Sequence, residues 1–181
     1  IHGDIVVVSG RGYSNLAGAA YVFKTSNSGE TWVQMARLTA SDINTSNTNN
    51  GLGKEFGSSV AIYENYIIVG QRETGPDLNG SAYIFKTSDG GNIWTEKAKI
   101  KARDYGNIDA DFGHSVDINN KFAIVGSPGH TVSNLSNAGS AYVFKTQDNG
   151  ETWEHLSSLR RSTVTQSDRL GWDVVITDNE Q

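Results

Sequence analysis

Hydrophobic and polar positions in residues 80–94 (GSAYIFKTSDGGNIW) follow a pattern that predicts two strands joined by a turn. Tyr83 and Phe85 occupy alternate positions, which is typical of a β-strand. In the turn, Asp89 can accept hydrogen bonds from nearby backbone N–H groups, and Gly91 supplies the conformational freedom of a tight reversal. A second strand then begins at Trp94.

Near-copies of this segment occur on both sides of it. Residues 18–32 read GAAYVFKTSNSGETW and residues 139–153 read GSAYVFKTQDNGETW, so the copies begin 62 and then 59 residues apart. Similar segments at a nearly constant spacing indicate one structural unit that is used repeatedly. Each copy ends in the tryptophan that opens the following strand, namely Trp32, Trp94 and Trp153.

Two further kinds of segment complete the unit. Continuous apolar runs predict strands covered on both faces, and they occur at residues 4–8, 66–69 and 122–125. Segments that contain a glycine at their second position occur at residues 56–62 (FGSSVAI), 112–118 (FGHSVDI) and 170–176 (LGWDVVI). Short turns join the first two of these to the next apolar run as β-hairpins. One unit therefore has four strands, A to D: the FG-type strand, the apolar strand, the AYIFKT-type strand and the tryptophan-led strand.

A unit of four antiparallel strands and about 60 residues is typical of a β-propeller blade. The predicted fold class is all-β, with about three blades' worth of strands in a single domain over residues 1–181, which is a complete or a partial β-propeller. The predicted repeats are approximately 1–55 (strands B–D), 56–111, 112–169 and 170–181 (strand A only).

Propellers have about 4–8 blades, so three blades do not close a ring. We expect the remainder of a longer parent chain or a second copy of this chain to complete it. With a second copy, residues 170–177 of one chain would pair beside residues 4–8 of the next.

The FG-type segments and the AYIFKT-type strands together resemble the FG-GAP repeats of integrin α-subunit-like β-propellers, over essentially the whole chain. This resemblance implies a non-catalytic module for adhesion or assembly in an extracellular or cell-surface protein. The turns TSNSGETW, TSDGGNIW and TQDNGETW also resemble the Asp-boxes of sialidase-type propellers. That second resemblance implies structural turn roles for Asn27, Asp89 and Asp148.

Calcium is the cofactor that the integrin resemblance brings into question, because those repeats often carry a D-x-D-x-D-G loop between strands A and B. The corresponding connections here, YENY and INNKF, have too few carboxylates for a calcium cage. We therefore expect no cofactor at these turns. A weaker candidate metal site lies in the loop before Phe112, at Asp104, Asp109 and Asp111, with Asn107 between them; its alternative interpretation is a solvated loop.

The sequence contains few arrangements of residues that are typical of a catalytic site. The four histidines lie in different contexts without a repeated spacing, so no metal site or histidine-activated nucleophile is indicated. The three tryptophans could form a sugar-stacking platform, but their recurrence at one position favours packing between blades. We therefore assign structural core roles to Trp32, Trp94, Trp153, Phe56 and Phe112.

Composition narrows the possible partners. The net charge of −5 argues against nucleic acid, since phosphate binding needs clustered lysine and arginine. No apolar run approaches the roughly 20 residues that span a bilayer, so membrane insertion is not expected. The predicted function is a binding or structural module with a protein or glycan ligand. The alternative is a carbohydrate-binding or sialidase-related propeller.

The position of the binding face follows from the lengths of the connections. In a four-stranded meander the A–B and C–D turns lie at one end, and here they are short. The B–C and D–A connections lie at the other end, and they are long. We therefore expect partners to bind at the long-loop end, near Arg11, Tyr13, Arg72, Asp77, Tyr105 and His130.

Overall fold

The computed structural model describes residues 1–11, 18–42, 54–73, 80–103 and 110–177. Within these ranges every regular element is a strand. In chain order the strands are β1 (Ile5–Gly10), β2 (Ala19–Lys24), β3 (Val33–Leu38), β4 (Lys54–Tyr63), β5 (Tyr66–Glu73), β6 (Ser81–Lys86), β7 (Thr95–Ile100), β8 (Ser115–Ile118), β9 (Phe122–Ser127), β10 (Ser140–Lys145) and β11 (Glu154–Leu159). The predicted all-β class is therefore confirmed.

The strands form three antiparallel sheets in which neighbours in sequence are neighbours in space. The second sheet has the order β4–β5–β6–β7 and the third has β8–β9–β10–β11, which are the predicted strands A to D. The first sheet has only β1–β2–β3, which correspond to strands B to D. The register repeats as well, because Ile5, Tyr66 and Phe122 each pair with the lysine at the end of strand C. Antiparallel sheets that repeat with the same register are consistent with propeller blades.

Residues 170–177 differ from the prediction of a strand. Leu170 forms an isolated parallel bridge with Gly139, but no ladder follows it in the part of the chain that the structure describes. A strand of type A is held by its hairpin with strand B, as β4 is held by β5. No described strand B follows residue 177, so the segment lacks the partner that would extend the bridge into a strand.

The core consists of two clusters, each of which spans a junction between sheets. The first joins Ile5 of the first sheet to Phe56 and Tyr83 of the second. The second joins Tyr66 of the second sheet to Phe112 and other residues of the third. Both phenylalanines are fully buried. Phe56 lies 5.4 Å from the Tyr83 ring centroid in an edge-on arrangement. The hydrophobic effect therefore acts mainly between successive repeats.

The glycine of the FG-type segment permits this close packing of repeats. Gly57 and Gly113 have φ values of 87° and 92°. A Cβ atom at Gly57 would lie 2.8 Å from the carbonyl oxygen of Ala19, and one at Gly113 would lie 2.5 Å from that of Ser81. Strand A of each repeat thus begins directly against the backbone of the preceding repeat, where no side chain fits.

Candidate binding site

Charged residues from the first two repeats meet at the long-loop end, the end of the sheets where β1 and β5 finish and β4 begins. Glu55 Oε2 lies 3.4 Å from Arg11 Nη1 and 3.1 Å from Arg72 Nη2. Asp111 Oδ1 lies 3.8 Å from Arg72 Nε. We call these four residues the ionic cluster. Two of the residues predicted to bind a partner, Arg11 and Arg72, are therefore brought together.

The side chains of the ionic cluster differ in how much of their surface is exposed. The Arg11 side chain is 56% exposed, whereas Arg72 is 25% exposed and Glu55 is 16% exposed. Arg72 Nε also donates a hydrogen bond of 3.2 Å to Glu55 Oε2. Glu55 thus positions both guanidinium groups, but only its pair with Arg11 involves an exposed side chain, and such pairs contribute only about 0–1 kcal/mol to stability. Arg11 is therefore better suited to recognition than to holding the fold together.

Glu55 is the residue that sequence reasoning missed. The short turn at Glu64 and Asn65 places Tyr63 opposite Tyr66, and a regular hairpin would then put Arg72 opposite Gly57. The register shifts between Phe56 and Ser59, so that Glu55 pairs with Arg72 instead. A β-bulge of this kind changes the pairing and direction of the side chains beyond it. No local sequence pattern predicted it.

The side chain of His130, which was predicted to lie near the binding face, is buried. Its side chain is 2% exposed, and its Nδ1 atom lies 2.9 Å from the hydroxyl of Ser140. Its ring meets Tyr142 edge-on at 6.0 Å. An enclosed ring cannot touch a partner, so we leave His130 out of the proposed binding surface. Tyr13, Asp77 and Tyr105 lie outside the described residues.

The three predicted turn residues organise the C–D turns. Asp148 Oδ1 accepts hydrogen bonds from the backbone N–H of Thr152 at 2.9 Å and the Thr146 hydroxyl at 2.9 Å. Asp148 Oδ2 accepts the Thr152 hydroxyl at 2.6 Å. These bonds to Thr152 and Thr146 lower the pKa of Asp148 to about 2. The carboxylate is therefore engaged within its own turn.

The other two turns reproduce this arrangement with different side chains. Asp89 accepts the backbone N–H groups of Asn92 and Ile93, each at 3.0 Å. The bond from Ile93, followed by that from Thr87, lowers the pKa of Asp89. Asn27 accepts the backbone N–H of Thr31 at 2.9 Å without carrying a charge. An oxygen atom at this position is what the turn requires.

The three tryptophans occupy equivalent positions but differ in burial. Trp153 is 9% exposed and meets Tyr66 of the preceding repeat edge-on at 6.1 Å. Trp94 is partly buried against the first cluster, and its Nε1–H donates to the Gly91 carbonyl at 3.0 Å. Trp32 is 37% exposed. Packing between repeats thus accounts for Trp94 and Trp153, whereas Trp32 lies on the outer face of the first repeat.

The described residues contain no group of three or more histidine or acidic side chains that could hold a metal ion. Asp104, Asn107 and Asp109 of the weak candidate site lie outside the described ranges. Asp111 is described, and it faces Arg72 in the ionic cluster. A cation at Asp111 would therefore compete with an arginine for that carboxylate.

Comparison with protein-family models identifies FG-GAP repeats at residues 32–85 and 94–144. These two stretches cover more than half of the chain. A comparison with curated protein sequences gave no significant match. The search for membrane spans found no helix of sufficient length and apolar character within the described ranges. The repeated four-stranded sheets, the glycine-dependent contacts between them and the family match together show that the chain belongs to the FG-GAP repeat family of β-propeller-like proteins.

Proposed function

We propose that this chain is a non-catalytic binding module of a secreted or cell-surface protein, and that its long-loop end makes adhesion or assembly contacts. FG-GAP repeats suggest a binding or structural module, and they typically occur in extracellular or cell-surface proteins. The observation that carries the proposal is the ionic cluster, in which residues from two successive repeats converge where the long connections begin.

The chemistry of the ionic cluster favours an acidic feature on the partner. Arg11 projects furthest, and its guanidinium group shares a single carboxylate with Arg72. A carboxylate from a protein or a glycan could replace part of that pairing with a bidentate bond. Arginine is enriched in the energetically important centres of interfaces, because its planar group combines charge with packing area. The loops that surround the ionic cluster would supply the remaining contacts.

The alternative, a carbohydrate-binding or sialidase-related propeller, is supported by the same convergence of arginines with carboxylates. The resemblance of the turns to those of sialidases implies a site with three arginines. Here both guanidinium groups of the ionic cluster bind Glu55. Sialylated glycans are therefore included as probes in the experiment below.

The experiment measures binding of the chain to a panel of immobilised extracellular-matrix proteins and to an array of sialylated and neutral glycans. Arg11→Glu and Arg72→Glu should each weaken binding by about tenfold or more, since loss of about 1.4 kcal/mol corresponds to a factor of ten. The matched control is Lys121→Glu, an equal charge reversal in the exposed A–B turn at the opposite end of the third sheet.

The outcomes separate the two candidate functions. Binding to matrix proteins that both arginine variants weaken and Lys121→Glu leaves unchanged supports the adhesion proposal. Binding confined to sialylated glycans favours the alternative. Binding that Lys121→Glu weakens while the arginine variants do not, or binding to neither set of probes, contradicts the assignment of the long-loop end.

A further inference from the structure

The B–C connection of the third repeat, residues 128–139, contains a small hairpin at the long-loop end. The backbone N–H of Val132 donates to the Leu135 carbonyl at 3.2 Å, and that of Leu135 donates to the Val132 carbonyl at 2.9 Å. Ser133 and Asn134 form the two-residue tip, with φ values of 51° and 65°. Positive φ at both positions is typical of a type I′ turn, in which asparagine is a favoured residue. Asn134 therefore lies at the tip of the connection.

The neighbouring D–A connection, residues 160–169, holds the base of this hairpin. The backbone N–H of Ser167 donates to the Ser136 carbonyl at 3.0 Å. The backbone N–H of Arg169 donates to the Asn137 carbonyl at 2.9 Å. The tip is thus presented from a base that hydrogen bonds between two connections keep in place.

Asn134, Leu135 and Ser136 form an N-x-S triplet in which the middle residue is not proline, the acceptor sequence for N-linked glycans. Asn134 and Ser136 are both exposed. Within the described ranges, no residue forms a hydrogen bond with either side chain. The turn accounts for an asparagine at position 134, but it makes no demand for a hydroxyl group at position 136. Both groups that define the acceptor sequence are therefore free to meet a transferase.

The sequence contains two more triplets of this kind, which begin at residues 44 and 79. Both of their asparagines lie outside the described residues. The serine of the triplet that begins at residue 79 is Ser81, which is 1% exposed. The triplet at Asn134 is therefore the one whose asparagine and serine are both described and exposed.

We propose that Asn134 is a site of N-linked glycosylation. The donor is an oligosaccharide that is attached to a lipid through a phosphate or pyrophosphate group. Asn134 Nδ2 forms a bond to the anomeric carbon of the sugar, and the bond from that carbon to the phosphate oxygen breaks. The lipid phosphate leaves with the electron pair, and a base of the transferase takes one amide proton. No group is oxidised or reduced.

The folded chain has room for this modification because the tip of the hairpin faces solvent. A bulky, hydrated glycan belongs on a surface loop, where it displaces no packed side chain. The inference rests on the extracellular or cell-surface location in the proposed function, because an N-linked acceptor is used in secreted proteins. It does not depend on which partner the ionic cluster binds.

The test expresses residues 1–181 behind a cleavable secretion signal in cultured eukaryotic cells. The chain is treated in heavy-oxygen water with an amidase that removes N-linked glycans, and its peptides are then mapped by mass spectrometry. Each asparagine that carried a glycan appears as a labelled aspartate. We expect this label at Asn134 in most of the secreted chains. The same chain expressed without the signal controls for spontaneous loss of the amide group.

Ser136→Ala is the most informative variant, because it leaves the asparagine in place and should still abolish the label at position 134. Ser136→Thr retains the hydroxyl group and should retain the label. Asn134→Gln should remove the glycan from this peptide. Its matched control is Asn137→Gln, since Asn137 is also exposed and has a positive φ of 54°, but Gly139 follows it in place of a serine. This control should leave the glycan at Asn134 unchanged.

The outcomes are read on secreted and cell-retained chains alike, so a variant that is not secreted still gives a result. A label at Asn134 that Ser136→Ala abolishes and Ser136→Thr and Asn137→Gln retain supports the proposal. Chains without a label at Asn134 overturn it, as does a label that persists in Ser136→Ala.

The glycan is detected by mass and not by binding, so this test is separate from that of the proposed function. A chain that is glycosylated at Asn134 but binds none of the matrix or glycan probes contradicts the proposed function alone. A chain that binds through Arg11 and Arg72 but carries no glycan at Asn134 contradicts this inference alone.

Discussion

Replacing the glycine of each C–D turn by alanine would measure how tightly successive repeats pack. Gly29, Gly91 and Gly150 hold equivalent turn positions, with φ values of 93°, 94° and 81°. A positive φ strains an alanine by roughly 1–2 kcal/mol. Because all three positions share this strain, it largely cancels when the variants are compared with one another.

The difference between the variants comes from the neighbouring repeat. A Cβ atom at Gly150 would lie 2.7 Å from the Tyr66 hydroxyl and 2.8 Å from its Cζ atom, and Tyr66 is only 2% exposed. At Gly91 it would lie 2.5 Å from Ile5 Cδ1, which is the more flexible end of a side chain. At Gly29 the nearest atom belongs to Trp32, at 3.9 Å.

Over-packing of this kind costs about 1–3 kcal/mol. We therefore expect Gly150→Ala to reduce the free energy of unfolding by about 2–5 kcal/mol and Gly29→Ala by about 1–2 kcal/mol, with Gly91→Ala between them. For a chain of this size, 1 kcal/mol corresponds to a shift in melting temperature of about 2–4 °C. The order of the three variants is the quantity that tests the packing.

The assay is urea unfolding followed by circular dichroism, with the three variants compared with one another and with the unaltered chain. If Gly29→Ala proves as destabilising as Gly150→Ala, backbone strain alone accounts for both effects. The inference that the turn packs on the preceding repeat would then be refuted.

Two further predictions concern acid and metal. The lowered pKa of Asp148, about 2 against 3.8, stabilises the fold at pH values above 3.8, and this contribution is lost as the pH falls from 3.8 to about 2. Asp148→Asn should make the melting temperature depend less on pH in this range, because an asparagine side chain does not titrate and Asn27 occupies the equivalent turn. An unchanged dependence would contradict the role of the carboxylate. A calcium chelator should lower the melting temperature little, because the A–B turns have too few carboxylates for a calcium cage. A drop of more than about 10 °C in differential scanning calorimetry would indicate a metal site, with residues 104–111 the first place to look.

The strands were predictable because their signals are local. Alternation around Tyr83 and Phe85 predicted β6, and the continuous apolar run at residues 66–69 predicted β5. Recurrence of the FG-type segment predicted a strand at residues 170–176, where the structure has only a bridge at Leu170. A strand also needs a neighbour to receive its hydrogen bonds.

The candidate site was less predictable. Loop lengths identified the end of the sheets at which Arg11 and Arg72 meet, since connections in a meander alternate between two ends. They could not identify Glu55, whose position opposite Arg72 depends on a register shift. They also could not show that the ring of His130 points inward to Ser140.

The sequence by itself determined the repeating unit, its four strands and the residues that each turn requires, because these follow from spacing, alternation and backbone chemistry within a few residues. Only the tertiary structure decided which member of a repeated set is buried. Trp153 is covered and Trp32 is not, and Val69 is covered while Val8 is not, although their local sequences are alike. Burial in a repeat protein depends on the neighbouring repeat, and that neighbour is a property of the assembled chain.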